Sequence, residues 1–293
     1  MRIIRIAVLA AVAASLSSCR SKPPAEPGVA TPSVKLNREK APLGSPIEVT
    51  YRFDVAANAP RLTEDYKVFV GFVDTDQELM WTDDHDAAIP TTQWKPGQTI
   101  EYTRTVFIPV YPYIGEAAIH MGLYSTATQK RVTLSGQDVG QTAYNVAKLQ
   151  LLPQSENVFM VPKDGWHGPE TPPNDAHSEW QWTRKKQATL VFKNPKRDAL
   201  LYLDLDNPSR TFPDGQHVQV KLTDQVVDDF VLMEHRLLRR IPLTATQLGS
   251  ADMVELLIEV DKTFVPALLP GSDNKDPREL GVRVFHWYIE PKK

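Results

Sequence analysis

Ile47-Glu48-Val49-Thr50-Tyr51-Arg52-Phe53 places Ile47, Val49, Tyr51 and Phe53 on one side of the chain and Glu48, Thr50 and Arg52 on the other. Alternation with period two marks a half-buried strand, because successive side chains leave an extended backbone on opposite faces. Just upstream, Ala41-Pro42-Leu43-Gly44 reads as a turn and Val34-Lys35-Leu36 as a short strand. Downstream, the same reading predicts strands over residues 67–73, 100–108, 117–124 and 143–152, with turns at Lys95-Pro96-Gly97 and Ser135-Gly136. No helical pattern separates them, which predicts an antiparallel sandwich over residues 34–153.

A second unit is expected over residues 154–293. It opens on Gly165-Trp166-His167-Gly168-Pro169-Glu170-Thr171-Pro172-Pro173-Asn174-Asp175, too rich in Pro, Gly and polar groups for a core strand. Strands are then predicted over 188–192, 199–205, 217–222, 226–233, 240–243, 254–260 and 282–289. Leu201-Tyr202-Leu203-Asp204-Leu205 and Val218-Gln219-Val220-Lys221-Leu222 alternate most cleanly. Short strands without long helices predict a second sandwich of jelly-roll type. The fold class is therefore all-β, with two antiparallel β-sandwich domains.

Composition agrees. The 293 residues carry 24 prolines against 14 glycines, with 42% hydrophobic content. The formal charge of −3 comes without a basic run, which excludes a nucleic-acid partner on electrostatic grounds.

Met1 to Cys19 reads as an export signal: a charged head (Arg2, Arg5), an apolar run from Ile6 to Ala14, then Leu16-Ser17-Ser18-Cys19. The apolar part is too short to span a bilayer. The four residues ending at Cys19 resemble the bacterial lipobox, which implies cleavage after residue 18 and acylation of Cys19. Each buried methylene contributes about 0.8 kcal/mol, so two or three acyl chains anchor a protein durably. Residues 19–33, with Pro23, Pro24, Pro27 and Pro32, read as a stiff tether. Removing the signal shifts the formal charge from −3 to −5, because Arg2 and Arg5 leave with it. By likeness to Gram-negative lipoproteins, Arg20 after the cysteine implies the outer rather than the inner membrane.

Two further resemblances bear on neighbourhood. Trp94-Lys95-Pro96-Gly97, Ile108-Pro109 and Gly122-Leu123-Tyr124 with Arg131, together with Trp81 and Asp83-Asp84-His85, resemble an immunoglobulin-like module found beside bacterial membrane glycosyltransferases. Gly165-Trp166-His167 with Glu170, Trp182-Thr183, the run from Val260 to Ala267, and Asp276-Pro277-Arg278-Glu279-Leu280-Gly281-Val282 are similar to a galactose-binding-like accessory sandwich. That module accompanies glycosyltransferases and methyltransferases of surface-polysaccharide pathways. The chain shows neither βα alternation nor a Gly-rich phosphate loop, so no transferase domain is expected.

Candidate sites follow from side-chain chemistry. Sugars present apolar C–H faces and hydroxyls, so they suit flat aromatic surface beside planar polar groups. Trp166, His167, Glu170, Trp180 and Trp182 supply that within a short stretch, and Asp273, Asp276 and Arg278 form a second loop able to close on it. Arg278 pairing with Glu170 or Asp276 is equally a structural closure, and tryptophans often serve as core. A glycan binder requires Trp166 or Trp182 exposed at a concave site, whereas a scaffold buries both. Asp83-Asp84-His85-Asp86 reads as a solvated polar turn rather than a metal site, since consecutive residues of extended chain point apart. His120, on the polar side of Ile119-His120-Met121, is expected at the surface.

No Gly-x-Ser-x-Gly elbow, His-Glu-x-x-His or second cysteine stands in the chain. Glu170 with Asp273 or Asp276 formally offers a carboxylate pair, but an acidic chain holds many such pairs. The expectation is a non-catalytic envelope lipoprotein without a cofactor, held to the membrane by its lipid. It binds a surface glycan or, on the alternative reading, acts as a protein-interaction scaffold among envelope proteins.

Overall fold

The computed structural model describes residues 27–172, 178–207, 211–233 and 235–292. The export signal, Cys19 and the start of the tether lie outside the described residues. The first sandwich contains β1 (Ala30–Leu36), β2 (Lys40–Pro42), β3 (Pro46–Val55), β4 (Lys67–Val73), β5 (Leu79–Thr82), β6 (His85–Asp86), β7 (Thr99–Phe107), β8 (Gly115–Tyr124) and β9 (Tyr144–Leu152). One sheet has the order β1-β3-β7 and the other β2-β9-β8-β4-β5, with β6 also on β4. Their inner faces meet over Val49, Tyr51, Phe53, Phe72, Ile119 and Leu123.

The second sandwich contains β10 (Met160–Pro162), β11 (Gln181–Arg184), β12 (Gln187–Lys193), β13 (Ala199–Asp206), β14 (Gln216–Leu222), β15 (Gln225–Leu232), β16 (Leu237–Leu243), β17 (Met253–Val260) and β18 (Leu280–Pro291), with a single helical turn, α1 (Ala245–Leu248), between β16 and β17. Sheets β10-β12-β17-β14-β15 and β11-β18-β13-β16 enclose a core that includes Leu190, Phe192, Leu203, Val220, Ile258 and Val284.

Three expectations change. The tether expected to run to Ser33 stops earlier, because Ala30 already begins β1 and is fully buried. Pro32 is tolerated there since β1 is an edge strand, paired on one side only. The sandwich is antiparallel apart from one parallel pair, β2 with β9. And Asp83-Asp84-His85-Asp86 is solvated only in part: Asp84 and Asp86 are exposed, whereas Asp83 and His85 turn inward. Asp83 accepts hydrogen bonds from the Tyr51 hydroxyl at 2.8 Å and from Arg104 Nε and Nη2 at 3.0 and 2.9 Å. His85 is buried between the Asp83 carbonyl and the Tyr102 hydroxyl, with both ring nitrogens engaged. Burial holds its imidazole below the ordinary histidine range. Asp83 and His85 are polar because they meet inward-facing polar partners, and polarity alone does not distinguish partners from water. His120 is half-buried on β8.

The sandwiches touch through strand faces. Phe107 of β7 stacks on His286 of β18 with centroids 4.1 Å apart and planes at 4°. Arg240 of β16 pairs with Glu48 of β3 at 2.7 Å, and Arg38 with Glu290 at 2.5 Å. A β-bulge makes the first contact possible. Asp204 pairs with His286 and Leu205 with Val284, so Phe285 is an extra residue opposite β13. The extra residue shifts the alternation, and neighbouring Phe285 and His286 both reach polar partners on the outer side of the sheet.

Candidate functional site

Two concavities bring together aromatic and ionisable side chains. The first is a recess of about 350 Å³ on the second sandwich, lined among others by Glu170, Trp180, Trp182, Asp276, Arg278 and Arg283. Glu170 is brought in by backbone pairing with Trp180, through reciprocal 2.9 Å bonds. Asp276 and Arg278 come from the loop before β18. There Arg278 Nη1 donates to Glu170 at 2.6 Å, while Nε and Nη2 bind Asp276 at 3.0 and 2.7 Å. The guanidinium lowers the Asp276 carboxyl below its usual range, chiefly by hydrogen bonding, and is itself held protonated by both carboxylates. The result is a row of polar atoms beside two indoles.

Five of the eight anticipated residues therefore line one recess; three do not. Trp166 lies 5.2 Å from Trp287 and donates its indole N–H to the Thr189 carbonyl at 2.8 Å, so it packs against the core. Gly165 fixes that path with φ of +81°, where a Cβ would strike the Gln187 carbonyl oxygen at 2.0 Å. His167 Nε2 is bound to the Glu279 carbonyl at 2.9 Å and lines no part of the recess. Asp273 is exposed and also stands outside it. Trp182 is only 7% exposed, edge-on to Phe264 at 5.8 Å, and forms wall rather than platform. The expected sugar platform of Trp166 and Trp182 is thus replaced by Trp180. Its indole nitrogen is buried with no hydrogen-bond partner among the described residues.

The second concavity is a cleft of about 890 Å³ between the sandwiches. The first sandwich contributes Leu79, Trp81, Asp83 and Arg104; the second contributes Asp204, Arg236, Phe285 and His286. Arg236 grips Asp204 with Nε at 2.8 Å and with Nη2, and His286 Nδ1 lies 3.0 Å from the same carboxylate. Burial alone would raise the Asp204 carboxyl, but hydrogen bonds from Arg236 and His286 bring it below its ordinary value. Trp81 is 5% exposed, stacked on Phe72 at 4.4 Å, and its N–H also lacks a partner among the described residues.

Sequence reasoning missed Arg236, Arg283, Phe285 and His286. A signal existed in β13, where Asp204 and Asp206 interrupt an apolar strand two residues apart. Carboxylates at that spacing leave one face and call for cations on neighbouring strands. Arg283 indeed binds Asp206 at 2.8 and 2.7 Å.

No protein-family model matches the chain, and no curated protein is similar to it. Among solved structures, it is similar to the C-terminal CBM6 of LamC, a laminarinase from Zobellia galactanivorans, at 8% identity and TM-score 0.26, over 46% of this chain and all of that one. It is similar to the collagen adhesin of S. aureus at 9% identity and TM-score 0.19, over 90% and 97%. A family GH115 4-O-methyl-α-glucuronidase matches at 13% identity and TM-score 0.32, over 53% of this chain and 20% of the glucuronidase. The chain thus spans a fifth of that enzyme's length.

Proposed function

We propose that this protein is a non-catalytic carbohydrate-binding lipoprotein of the cell envelope, anchored through Cys19 in the outer membrane. The observation that carries the binding half is the recess itself. The row Glu170–Arg278–Asp276 offers hydrogen-bond donors and acceptors beside Trp180, whose ring lines the recess. A sugar presents an apolar C–H face to such a ring and hydroxyls to such a row, the mix of aromatic surface and few polar groups that ligand sites use. Held ion-paired, the carboxylates act as hydrogen-bonding groups rather than as proton shuttles, which favours binding over hydrolysis.

The test is a glycan-array screen of the full-length protein in detergent, repeated with Trp180→Ala. Saturable binding that Trp180→Ala abolishes, in a variant that melts like the parent, is the expected result. A blank array from folded protein overturns the reading.

One observation favours the scaffold reading in its place. Phe159, Val161 and Met253 are exposed together around a shallow hollow beside edge strand β10. Exposed apolar clusters of this kind mark contact surfaces. Substituting Val161 and Met253 by Lys, followed by pull-down from membranes, tests it.

A further inference from the structure

The recess and the cleft share no lining residue, but one row of side chains joins their walls. Arg283 lies 5.0 Å from the Trp180 ring and 4.9 Å from the Phe285 ring, and Arg236 covers Phe285 at 3.8 Å. Trp180, Arg283, Phe285 and Arg236 therefore form a ladder of alternating rings and guanidiniums. It begins at a wall of the recess and ends at a wall of the cleft, because Trp180 and Arg283 line the first, and Phe285 and Arg236 the second. Each end holds a buried indole N–H without a partner among the described residues, Trp180 at one and Trp81 at the other. The extra residue of the β18 bulge supplies the ring that joins them.

Every guanidinium along this path is matched, and carboxylates are in excess. Arg278 is matched by Glu170 and Asp276, Arg283 by Asp206, Arg236 by Asp204 and Arg104 by Asp83. Among the described residues, no guanidinium lining either concavity is left over to neutralise an acidic sugar, while Glu179 and Asp84 also stand on the cleft wall. An anion brought here would lose water and meet, among these residues, no unpaired cation. A neutral polyol instead finds donors, acceptors and flat surface.

We infer that recess and cleft are one extended site for a neutral, linear oligosaccharide, whose far end lies between the two sandwiches. The inference rests on the carbohydrate-binding reading and adds length, charge class and the contribution of the first sandwich. Interdomain clefts of several hundred Å³ are a common seat for such ligands. Contacts distributed along a chain make affinity grow with its length.

The test uses the full-length protein and defined arrays of neutral and uronic-acid oligosaccharides from two to seven units. Leu79, 58% exposed on β5 at the cleft, and Thr82 on the same strand are each replaced by Trp to fill the cleft without disturbing either core. Expected are affinity for a neutral series that rises by about tenfold or more from disaccharide to hexasaccharide, little response to salt, and loss of that gain in Leu79→Trp or Thr82→Trp. Binding abolished by Trp180→Ala but indifferent to length and to both cleft substitutions leaves the recess standing and overturns the extended site. Preference for the uronic acids overturns the charge class. No binding at all overturns both readings together.

Discussion

The His286 imidazole lies flat on the Phe107 ring, 4.1 Å away, and joins strands of different sandwiches. His286 also faces Asp204, whose two carboxylate oxygens Arg236 binds. One aromatic contact therefore links the first sandwich to the ion-paired floor of the cleft. Phe107→Ala combined with His286→Ala in a double-mutant cycle is expected to return a coupling of about 1 kcal/mol, measured by urea unfolding. A coupling indistinguishable from zero would mean that the stack adds nothing to the joint.

Asp83 carries three hydrogen bonds in a nearly enclosed position. Asp83→Asn leaves the Arg104 guanidinium without its counter-charge, and because Arg104 keeps 40% of its side chain in solvent, unfolding stability is expected to drop by about 1–2 kcal/mol. Removing Arg104 as well recovers part of that loss, because the uncompensated charge goes with it.

Beside it, His85 has a pKa depressed by burial. A depressed folded value means that the unfolded chain takes up its proton first as pH falls. The His85 contribution is thus intact above the unfolded value near 6.5 and is lost as pH falls from there through the folded value. His85→Gln should flatten the stability profile over that window. An unchanged slope in the variant would remove His85 from the acid response.

Trp166, one of the two tryptophans a sugar platform requires exposed, packs against the core of the second sandwich instead. With its ring on Trp287 and its N–H on Thr189, Trp166→Ala is expected to cost about 2–3 kcal/mol and to leave the recess residues in place. Calorimetry reads the first effect, and glycan affinity at the recess, once measured, reads the second.

Arg278→Ala separates binding from closure. The guanidinium and Glu170 are each about one-third exposed, so solvent screening limits their worth to below about 1 kcal/mol. A small stability change with loss of glycan binding assigns the row to the ligand. A collapse of the melting transition assigns it to closing the sandwich.

The anchor is tested separately. Cys19→Ser should release the protein from the membrane fraction and abolish labelling by radioactive palmitate. Labelling that persists in the variant would refute acylation at Cys19.

Strand positions were legible in the chain because alternation is a local property. Ile47 to Phe53 lies within β3, residues 67–73 coincide with β4, and Leu201 to Leu205 lies within β13. Short strands β2, β5, β6, β10 and β11 escaped notice, since two to four residues cannot establish a period. Glu170, Asp276 and Arg278 were recognisable as complementary groups, and the fold brings them together across the backbone pair of Glu170 with Trp180. Trp180 and Trp182 are separated by one residue and have the same chemistry. Only packing decided that one has an N–H without a partner among the described residues while the other sits edge-on to Phe264.

What the chain determined by itself was the set of strands and the composition of their two faces, because extended backbone imposes the alternation before any long-range contact forms. Which outer faces meet was decided by tertiary structure alone. Thr105, Phe107, Tyr202, Asp204 and His286 carry the same polar or aromatic signature as outward residues that face water. The β18 bulge, which turns Phe285 and His286 to one side, exists only through pairing with β13. A single strand specifies which residues point away from its core, and the free energy of docking two finished sandwiches specifies what those residues touch.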